Sequence, residues 1–300
     1  ASSDDSCARL RDWAEGKLDV WLPPDHPLRS LSHPPIPKPV AYRQIRLEAG
    51  NHLRENAPLP QPARLSDSET RLFFLQVPEN LGFAGGNNVG LRFALEQSDP
   101  AYLWFLNNDA VVEPDTLSRL VQAAQSDPRA GIVGACLMDY RRPDTVQALG
   151  GYYNRYIGRS RHITRPKERH RVNYIVGASM LVSRDTVEQI GGFCEELFLY
   201  GEDAEYCLRA QQQGIGLAVA PEARVYHKLG VSSDRSIKDY YGLRNTLYIN
   251  GRYCADHRLL TGLYFAFRVM KRLFRFRWRD ISVTFRAIRD YRHNRMGRQL

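Results

Sequence analysis

Apolar and polar positions alternate with two spacings along this chain, and the change of spacing predicts its secondary structure. From residue 67 onward, short apolar runs typical of strands are followed by longer stretches with helical periodicity. The predicted strands are Arg71–Val77, Tyr102–Leu106, Gly131–Met138, Val172–Ser183 and Leu217–Ala220. The predicted helices are Ala84–Gln97, Pro114–Ser126 and Ala204–Gln213. This order indicates an α/β fold with a mostly parallel sheet.

The first 67 residues follow a different pattern. A short helix is predicted at Cys7–Glu15, behind a polar run that can cap it. Ten of the seventeen prolines fall between Pro23 and Pro62, which excludes a long regular element and leaves room for a short strand near Tyr42–Leu47. We interpret residues 22–63 as a surface insert, with a substrate lid as the alternative.

After Ser236 the pattern is helical to the end, and the net charge of +9 is concentrated there. The segment Arg268–Leu300 carries eleven basic residues against Asp280 and Asp290. On a helical wheel of Arg258–Arg279, basic residues fall on one side and apolar residues on the other. We expect this helix to lie flat on an anionic membrane surface. Packing on the rest of the protein is the alternative, and no nucleic-acid-reading motif accompanies the charge.

Composition excludes several protein classes. No stretch reaches about 18 uninterrupted apolar residues, as a spanning helix requires. The run Ala1–Asp5 has no signal-peptide character. The five cysteines are widely spread and form no C-x-x-C pair. We therefore expect a protein of a reduced, cytosolic compartment.

Candidate chemistry begins where the apolar strand Tyr102–Leu106 ends. The strand runs directly into Asn107, Asn108 and Asp109. In open α/β sheets, ligands bind beyond the carboxyl ends of the strands. A carboxylate at this point suits a magnesium or manganese ion held against a diphosphate. An ordinary polar turn is the alternative reading of the same residues.

A glycine-rich segment, Asn80–Gly90, joins the preceding strand to its helix. Glycines at positions 82, 85 and 86 allow a ligand to approach the backbone closely, and the start of the helix offers N–H groups to a phosphate or ribose. Tight packing is the alternative. The segment matches neither the Walker nor the dinucleotide fingerprint, which disfavours an ATPase or a dehydrogenase.

Two further sites lie downstream. Glu202 and Asp203 are adjacent at a predicted helix start, where acids also interact favourably with the helix dipole. One of them is a candidate general base that takes a proton from a hydroxyl group. The segment Ala220–His227, which follows the strand predicted at Leu217–Ala220, ends with a histidine, and a single histidine of this kind is more often structural.

Taken together, these segments resemble the family 2 glycosyltransferases of the GT-A fold, in particular their bacterial rhamnosyltransferase-like branch. The residues that carry the resemblance are Asn80–Gly90, Leu106–Asp109, Val176–Val182, Gly201–Asp203, His227 and Tyr240–Asn245.

The resemblance implies an inverting transfer of a sugar, such as rhamnose, from a nucleotide-diphosphate donor to a hydroxyl of a glycan or lipid-linked glycan. It implies that Asp109 and His227 hold Mn²⁺ or Mg²⁺, that Asp203 is the base, and that Glu202 orients the acceptor or the base. The implied donor-binding residues are Asp4, Asn80, Gly82, Gly85, Gly86, Asn87, Asn107 and Asn108. The expected location is the cytoplasmic face of the cell membrane, with no nucleic-acid partner.

The chain departs from the family pattern in two places. Asn107 and Asn108 leave the metal motif with one carboxylate. The family fold opens with a strand and a helix, and this sequence has no segment that matches them. A missing strand leaves the backbone N–H and C=O groups of its neighbours unpaired, which costs free energy when they are buried. We therefore expect a truncated chain of low stability or activity. We predict a catalytic domain at 1–235 and a basic tail at 236–300. A membrane-docked scaffold without activity and a nucleotidyltransferase are the competing hypotheses.

Overall fold

The computed structural model describes residues 5–47, 72–228, 235–254 and 258–300. These residues form two compact units, described separately below. The first unit comprises residues 1–81 and 85–101, and the second comprises residues 82–84 and 102–300. Asp4, one of the predicted donor-binding residues, lies outside the described residues.

The first unit contains the proline-rich segment and a small parallel sheet. Its elements are α1 (Ser6–Ala14), β1 (Tyr42–Arg46), β2 (Leu72–Gln76) and most of α2 (Gly82–Gln97). β1 and β2 pair in parallel, with Tyr42 opposite Leu72. Leu47, Val89 and Phe93 are buried in one apolar cluster of this unit. The helix and the two strands predicted in this part of the sequence are confirmed within one or two residues at each end.

The second unit is built on a six-stranded sheet. The strands of the unit are β3 (Tyr102–Leu106), β4 (Ala110–Val112), β5 (Ala130–Asp139), β6 (Val146–Ala148), β7 (Gly151–Asn154), β8 (Arg159–His162), β9 (Ser179–Ser183) and β10 (Gly216–His227). Their order in the sheet is β3-β9-β5-β10-β4, with β6 paired to β5. β7 and β8 form a separate antiparallel hairpin.

The expectation of a mostly parallel sheet is wrong for this unit. Among the described strands of the six-stranded sheet, β5 and β10 pair in parallel, whereas the other pairings are antiparallel. The cause lies in the connections. β6, β7 and β8 intervene between β5 and β9, so the chain re-enters the sheet in the opposite direction. The turn at residues 107–109 likewise separates β3 from β4, which pairs antiparallel with β10.

Three helices flank this sheet. They are α3 (Thr116–Ser126), α4 (Arg184–Ile190) and α5 (Glu202–Gln212). Leu120 of α3 packs with Val133, Leu137, Leu181 and Val225 of the strands, and these side chains are at most 1 % exposed. Each such side chain contributes about 1.5–3 kcal/mol by leaving water. The ends of the strands are therefore fixed by a dry core beneath them.

The predicted strand Val172–Ser183 is wrong in its first half. The strand begins at Ser179, and Gly177 and Ala178 form a turn. The segment Val172–Val176 nevertheless contributes to the core, because Tyr174 and Ile175 are buried. Hydrophobic pattern alone does not separate such a buried irregular segment from a strand.

The C-terminal part folds into three helices, α6 (Arg235–Tyr253), α7 (Arg258–Leu273) and α8 (Trp278–Arg292). Tyr240, Tyr241, Phe265 and Ala287 from these helices share a buried cluster with Phe198. The helices belong to the second compact unit. The domain boundary at 235/236 stays a prediction.

The single helix expected over Arg258–Arg279 is wrong, because it is interrupted after Leu273. The buried Arg272 explains the break. Its guanidinium pairs with Asp239 at 2.9 Å and donates to the backbone oxygen of Asp280, also at 2.9 Å. The contact with Asp280 joins α7 to the start of α8, and one long helix would move that backbone oxygen out of reach of Arg272.

Within the described residues, none of the helices combines the length and apolar character needed to cross a membrane. α7 nevertheless exposes a stripe of large apolar side chains. They are Leu259, Leu260, Leu263, Phe267 and Met270, which are between 45 and 76 % exposed.

Candidate active site

Asp109 and His227 are 118 positions apart and meet because of strand register. β4 pairs antiparallel with the end of β10, which places Ala110 opposite His227. The neighbouring backbone is fixed too, since the Lys228 N–H donates to the Asp109 carbonyl at 3.0 Å. The Asp109 Oδ1 atom lies 3.2 Å from His227 Nε2. The two predicted metal ligands are thus brought into direct contact.

Gln147 determines which nitrogen of His227 carries hydrogen. The Gln147 amide nitrogen lies 3.3 Å from the His227 backbone oxygen, which can only accept, so this amide group must donate there. Its Oε1 therefore faces His227 Nδ1, at 2.9 Å, and accepts a hydrogen bond from it. In the neutral imidazole this leaves Nε2 with a lone pair directed at Asp109.

The Asp109–His227 pair fits two ligands of a divalent cation. Asp109 Oδ1 is buried and receives no hydrogen bond from the described residues. A carboxylate oxygen and an imidazole lone pair at 3.2 Å repel each other unless a proton or a cation lies between them. Gln147 fixes the tautomer that a metal requires.

Within the described part of the chain, no group of three or more His, Cys, Asp and Glu side chains is arranged to hold a metal ion. Two protein ligands suit a hard cation that retains water and binds the oxygens of a diphosphate.

The two asparagines of the metal motif differ in their surroundings. The Asn107 N–H donates to the Ala178 carbonyl at 3.1 Å, and its side-chain nitrogen lies 3.4 Å from His227 Nε2. Asn108 is exposed. Asn107 therefore belongs to the surroundings of the candidate metal pair, whereas Asn108 is free to contact a ligand.

Asp203 lies at the start of α5 and is held by backbone N–H groups. Its Oδ2 accepts from Gly177 at 3.1 Å, and its Oδ1 accepts from Ala204 at 2.8 Å. The turn at Gly177 that interrupts the predicted strand therefore holds the candidate base. Burial raises the pKa of Asp203, and the two backbone hydrogen bonds partly oppose this.

Glu202 is buried beside Asp203. Desolvation, followed by the charge of Asp203, raises the pKa of Glu202 to about 8. Its Oε2 receives no hydrogen bond from the described residues. At neutral pH Glu202 therefore carries a proton.

The segment Tyr240–Asn245, quoted in the family resemblance, holds the loop that leads into this acidic pair. Phe198, Tyr200 and Gly201 all have positive φ angles, between 63° and 94°. The side-chain amide of Asn245 donates to the carbonyls of Leu197, Leu199 and Tyr200, at 2.7–3.0 Å. A loop in this uncommon conformation persists only when its surroundings fix it.

The glycine-rich segment lies partly in each unit. Asn80, Gly85, Gly86 and Asn87 belong to the first unit. Gly86 is exposed, and a Cβ atom there would meet nothing within 4 Å, so its backbone is open to approach. Gly85 is buried, and Asn87 is half-buried.

Gly82 belongs to the second unit and has a packing reason to be glycine. Its φ angle is +69°, and a Cβ atom would overlap the Phe198 backbone oxygen. That oxygen also accepts from the N–H groups of Phe83 and Ala84, at 2.8 and 3.4 Å. These two N–H groups at the start of α2 are therefore occupied, contrary to the expectation that they are available to a phosphate.

Sequence reasoning missed Gln147 and His162. Gln147 lies in a three-residue strand and has no motif around it. The pKa of His162 is lowered by burial among surrounding protein, although its ring is accessible from a cavity. His162 lines the same cavity as Asp203, and the charge of Asp203 partly opposes the lowering of the His162 pKa. A lone histidine in the basic run Arg159–His162 gave no signal of this position.

A cavity of about 930 Å³ adjoins Asp203. β8, α6 and α7 contribute much of its wall, which also includes His162 and Tyr174. Its size lies in the range of roughly 300–1,000 Å³ found for ligand-binding clefts. The cavity therefore gives Asp203 access to a ligand.

The family model for "Glycosyltransferase like family 2" matches residues 63–241, which is more than half of the chain. The chain belongs to this family, and its α/β fold is of the GT-A type, as expected. Apart from Asp4, the matched region contains every candidate site residue.

Relatives with assigned names share low identity with the chain. A dTDP-rhamnosyl transferase of Shigella flexneri is 24 % identical over 175 residues, which is 58 % of this chain and 57 % of the relative. A hexosyltransferase of low-salt glycan biosynthesis from Haloferax volcanii is 26 % identical over 185 residues, which is 59 % of this chain and 60 % of the relative. A galactofuranosyltransferase of Mycobacterium tuberculosis is 25 % identical over 245 residues, which is 74 % of this chain and 38 % of the relative. The chain thus spans less than two thirds of the length of each of these relatives.

Two solved structures are similar to the chain. One is the glycosyltransferase GalNAc-T7 with UDP, GalNAc and Mn²⁺, at a TM-score of 0.48 and 15 % identity, covering 60 % of this chain and 36 % of that one. The other is a mannosyltransferase of Pyrobaculum calidifontis with GDP-mannose and Mn²⁺, at a TM-score of 0.43 and 13 % identity, covering 72 % and 56 %.

Proposed function

We propose that this protein is an inverting glycosyltransferase that moves a hexosyl-type sugar from a nucleotide-diphosphate donor to an acceptor hydroxyl. The observation that carries the proposal is the contact between Asp109 Oδ1 and His227 Nε2, in the same unit as a buried carboxylate at the wall of a ligand-sized cavity. Membership of glycosyltransferase family 2 supports this reading.

Asp203 is the proposed general base. Its position in the cavity wall gives an acceptor hydroxyl access to the carboxylate. The N–H groups of Gly177 and Ala204 orient both oxygens without supplying a cation that would weaken the base. The raised pKa makes Asp203 a better proton acceptor than a solvent-exposed aspartate. Glu202 keeps its proton at neutral pH and is the neighbouring group that would orient the acceptor or the base.

Asp109 and His227 would hold Mn²⁺ or Mg²⁺, and the bound cation would neutralise the charge that develops on the leaving diphosphate. The chain's own contribution is positioning. Gln147 keeps the His227 lone pair turned toward Asp109, and the β4–β10 register fixes both residues. Such preorganisation reduces the barrier because no group has to reorient during the reaction.

The substrates form a further part of the proposal. Relatives named as rhamnosyl and galactofuranosyl transferases, together with one named for O-antigen biosynthesis, support a sugar donor such as an activated rhamnose and a growing surface polysaccharide as acceptor. We propose that the acceptor is carried on a lipid.

We also place the protein on the cytoplasmic face of the cell membrane through its C-terminal helices. The exposed apolar stripe of α7, for example Leu263 and Phe267 at 59 % exposed, is adjacent to Arg268, Lys271 and Arg275. Apolar and basic side chains on neighbouring faces are the combination that binds an anionic lipid surface.

The test is a transfer assay with a panel of nucleotide sugars, in the presence of Mn²⁺ or of EDTA. We expect turnover that requires the metal. The variant Asp203→Asn should lower kcat by about a thousandfold, because it removes the proton acceptor and keeps the shape. Wild-type protein that binds Mn²⁺ and donor without transfer or hydrolysis would contradict an enzymatic function and favour a scaffold.

A further inference from the structure

The cavity beside Asp203 has an unusual distribution of charge. Nine arginine and lysine side chains line it, together with the two carboxylates Asp203 and Asp239. Neither Asp109 nor His227 is part of its wall. The wall of the cavity therefore includes the candidate base and neither residue of the metal pair.

Three of these basic side chains already have acidic partners. Arg161 pairs with Glu168 at 3.1 Å, Arg272 pairs with Asp239 at 2.9 Å, and Arg277 pairs with Asp280. A fourth, Arg268, lies over the ring of Tyr264. These four basic side chains therefore have partners within the protein, and the Arg272 pair joins α7 to α6.

The other five have no acidic partner among the described residues. They are Arg159, Arg235, Lys238, Lys271 and Arg275. Side chains from β8, α6, α7 and the turn after α7 thus line one cleft in which nine basic groups face two carboxylates. A cleft lined by charge of one sign concentrates ligands of the opposite sign, and several Arg and Lys groups together suit a phosphate or diphosphate.

The same cavity is continuous with an apolar surface. Phe267 is part of the cavity wall and is also 59 % exposed on the apolar stripe of α7. Lys271 follows one helical turn later and also lines the cavity. A ligand with a phosphate group next to an alkyl chain would satisfy both surfaces at once.

We infer that this cavity binds the phosphate or diphosphate group of a lipid-linked acceptor, with Arg159, Lys238, Lys271 and Arg275 as its anion-binding residues. The inference rests on the proposed function and names the acceptor class of that site. The lipid chain leaves the cavity along the apolar stripe of α7, and the sugar hydroxyl lies toward Asp203.

Binding of decyl diphosphate tests this assignment. The chain is titrated with decyl diphosphate, decyl glucoside and inorganic pyrophosphate, below the concentrations at which the lipids form micelles and with EDTA present. EDTA removes the metal-dependent donor site from the measurement. We expect decyl diphosphate to bind at least about tenfold more tightly than either comparison ligand, because it has both the charge and the chain.

Paired variants separate the cavity from the general charge of the protein. Lys238→Gln with Lys271→Gln should weaken decyl diphosphate binding by at least about tenfold. The control, Lys167→Gln with Arg169→Gln, removes the same charge from an exposed segment outside the cavity and should leave the Kd unchanged. An unaltered Tm in both pairs shows that the fold is intact.

Three results would overturn the inference. Decyl glucoside binding as tightly as decyl diphosphate would show that the phosphate is not recognised. Pyrophosphate binding as tightly would show that the ligand is a soluble anion. Equal weakening in both paired variants would show a nonspecific effect of charge. Failure of the proposed transferase function is recognised independently, as absence of metal-dependent turnover in wild-type protein.

Discussion

Asp109 and His227 are held by the register of strands, whereas Glu202 and Asp203 are held by a loop that depends on side chains of α6. The first pair is fixed where β4 meets β10, with Gln147 completing its hydrogen bonds. The second pair follows three positive-φ residues and is buried with one oxygen unsatisfied. Strand register fixes two ligands side by side, while burial at the start of α5 raises the pKa of both carboxylates.

The largest effect is expected from loss of a metal ligand. Asp109→Ala should weaken Mn²⁺ binding by at least about a hundredfold, because loss of a ligand exceeds the roughly 10–100-fold cost of losing one of its supporting groups. Isothermal titration of Mn²⁺ measures this. Asp203→Asn is the matched control, and unchanged Mn²⁺ affinity in Asp109→Ala would contradict the metal assignment.

The next effect tests the loop. Asn245→Ala removes the donor to three carbonyls, so the loop before Glu202 and Asp203 loses its fixed conformation. We expect kcat to fall by between about tenfold and a hundredfold, since small displacements of a reacting group have effects of this size. The Mn²⁺ Kd should stay constant. A parallel loss of metal binding would show that the two regions are not independent.

A smaller effect is expected at Gln147. Gln147→Leu keeps the volume of the side chain and removes the acceptor for His227 Nδ1. The Mn²⁺ Kd should rise by about tenfold, in the range found for groups that support a ligand. Gln147→Glu retains an acceptor at this position and should restore part of the affinity. Wild-type affinity in Gln147→Leu would mean that the tautomer is fixed by another group.

The smallest effect concerns stability and pH. The pKa of Glu202 is about 8 in the folded protein, against an ordinary value of 4.5. Between these values the folded state binds a proton that the unfolded state lacks, so this contribution to stability is present at low pH and is lost as pH rises toward 8. Glu202→Gln removes the dependence.

The Tm of Glu202→Gln relative to wild type should therefore rise by a few degrees between pH 5 and pH 8. Thermal unfolding at both pH values measures the difference. A difference that does not change with pH would mean that Glu202 is ionised in the folded protein throughout this range.

Sequence predicted the position of Asp109 because this residue follows the short apolar run Tyr102–Leu106. Sequence did not predict the contact between Asp109 and His227. This contact depends on the antiparallel pairing of β4 with β10, and β4 has only three residues and therefore little periodicity. The same limit explains the error in sheet direction. Connections through β6, β7 and β8 determine that direction, and their short strands carry weak periodicity.

The basic cavity illustrates a second limit. Arg159, Lys238 and Lys271 are each unremarkable as single charged positions, and they meet because β8, α6 and α7 enclose one space. The amphipathic pattern of the tail did predict helices with exposed apolar side chains. The same pattern did not predict the break after Leu273. Arg272 contacts Asp239, which is distant in sequence, and the backbone oxygen of Asp280, which lies beyond the turn.

The proposed function depends on Asp109 and His227 binding one divalent cation together. The most direct measurement is an anomalous difference map at the manganese absorption edge, from crystals of the protein grown with Mn²⁺. We expect a peak within bonding distance of both Asp109 Oδ1 and His227 Nε2, which disappears in Asp109→Ala. A peak elsewhere, or none at this pair with Mn²⁺ bound in solution, would contradict it.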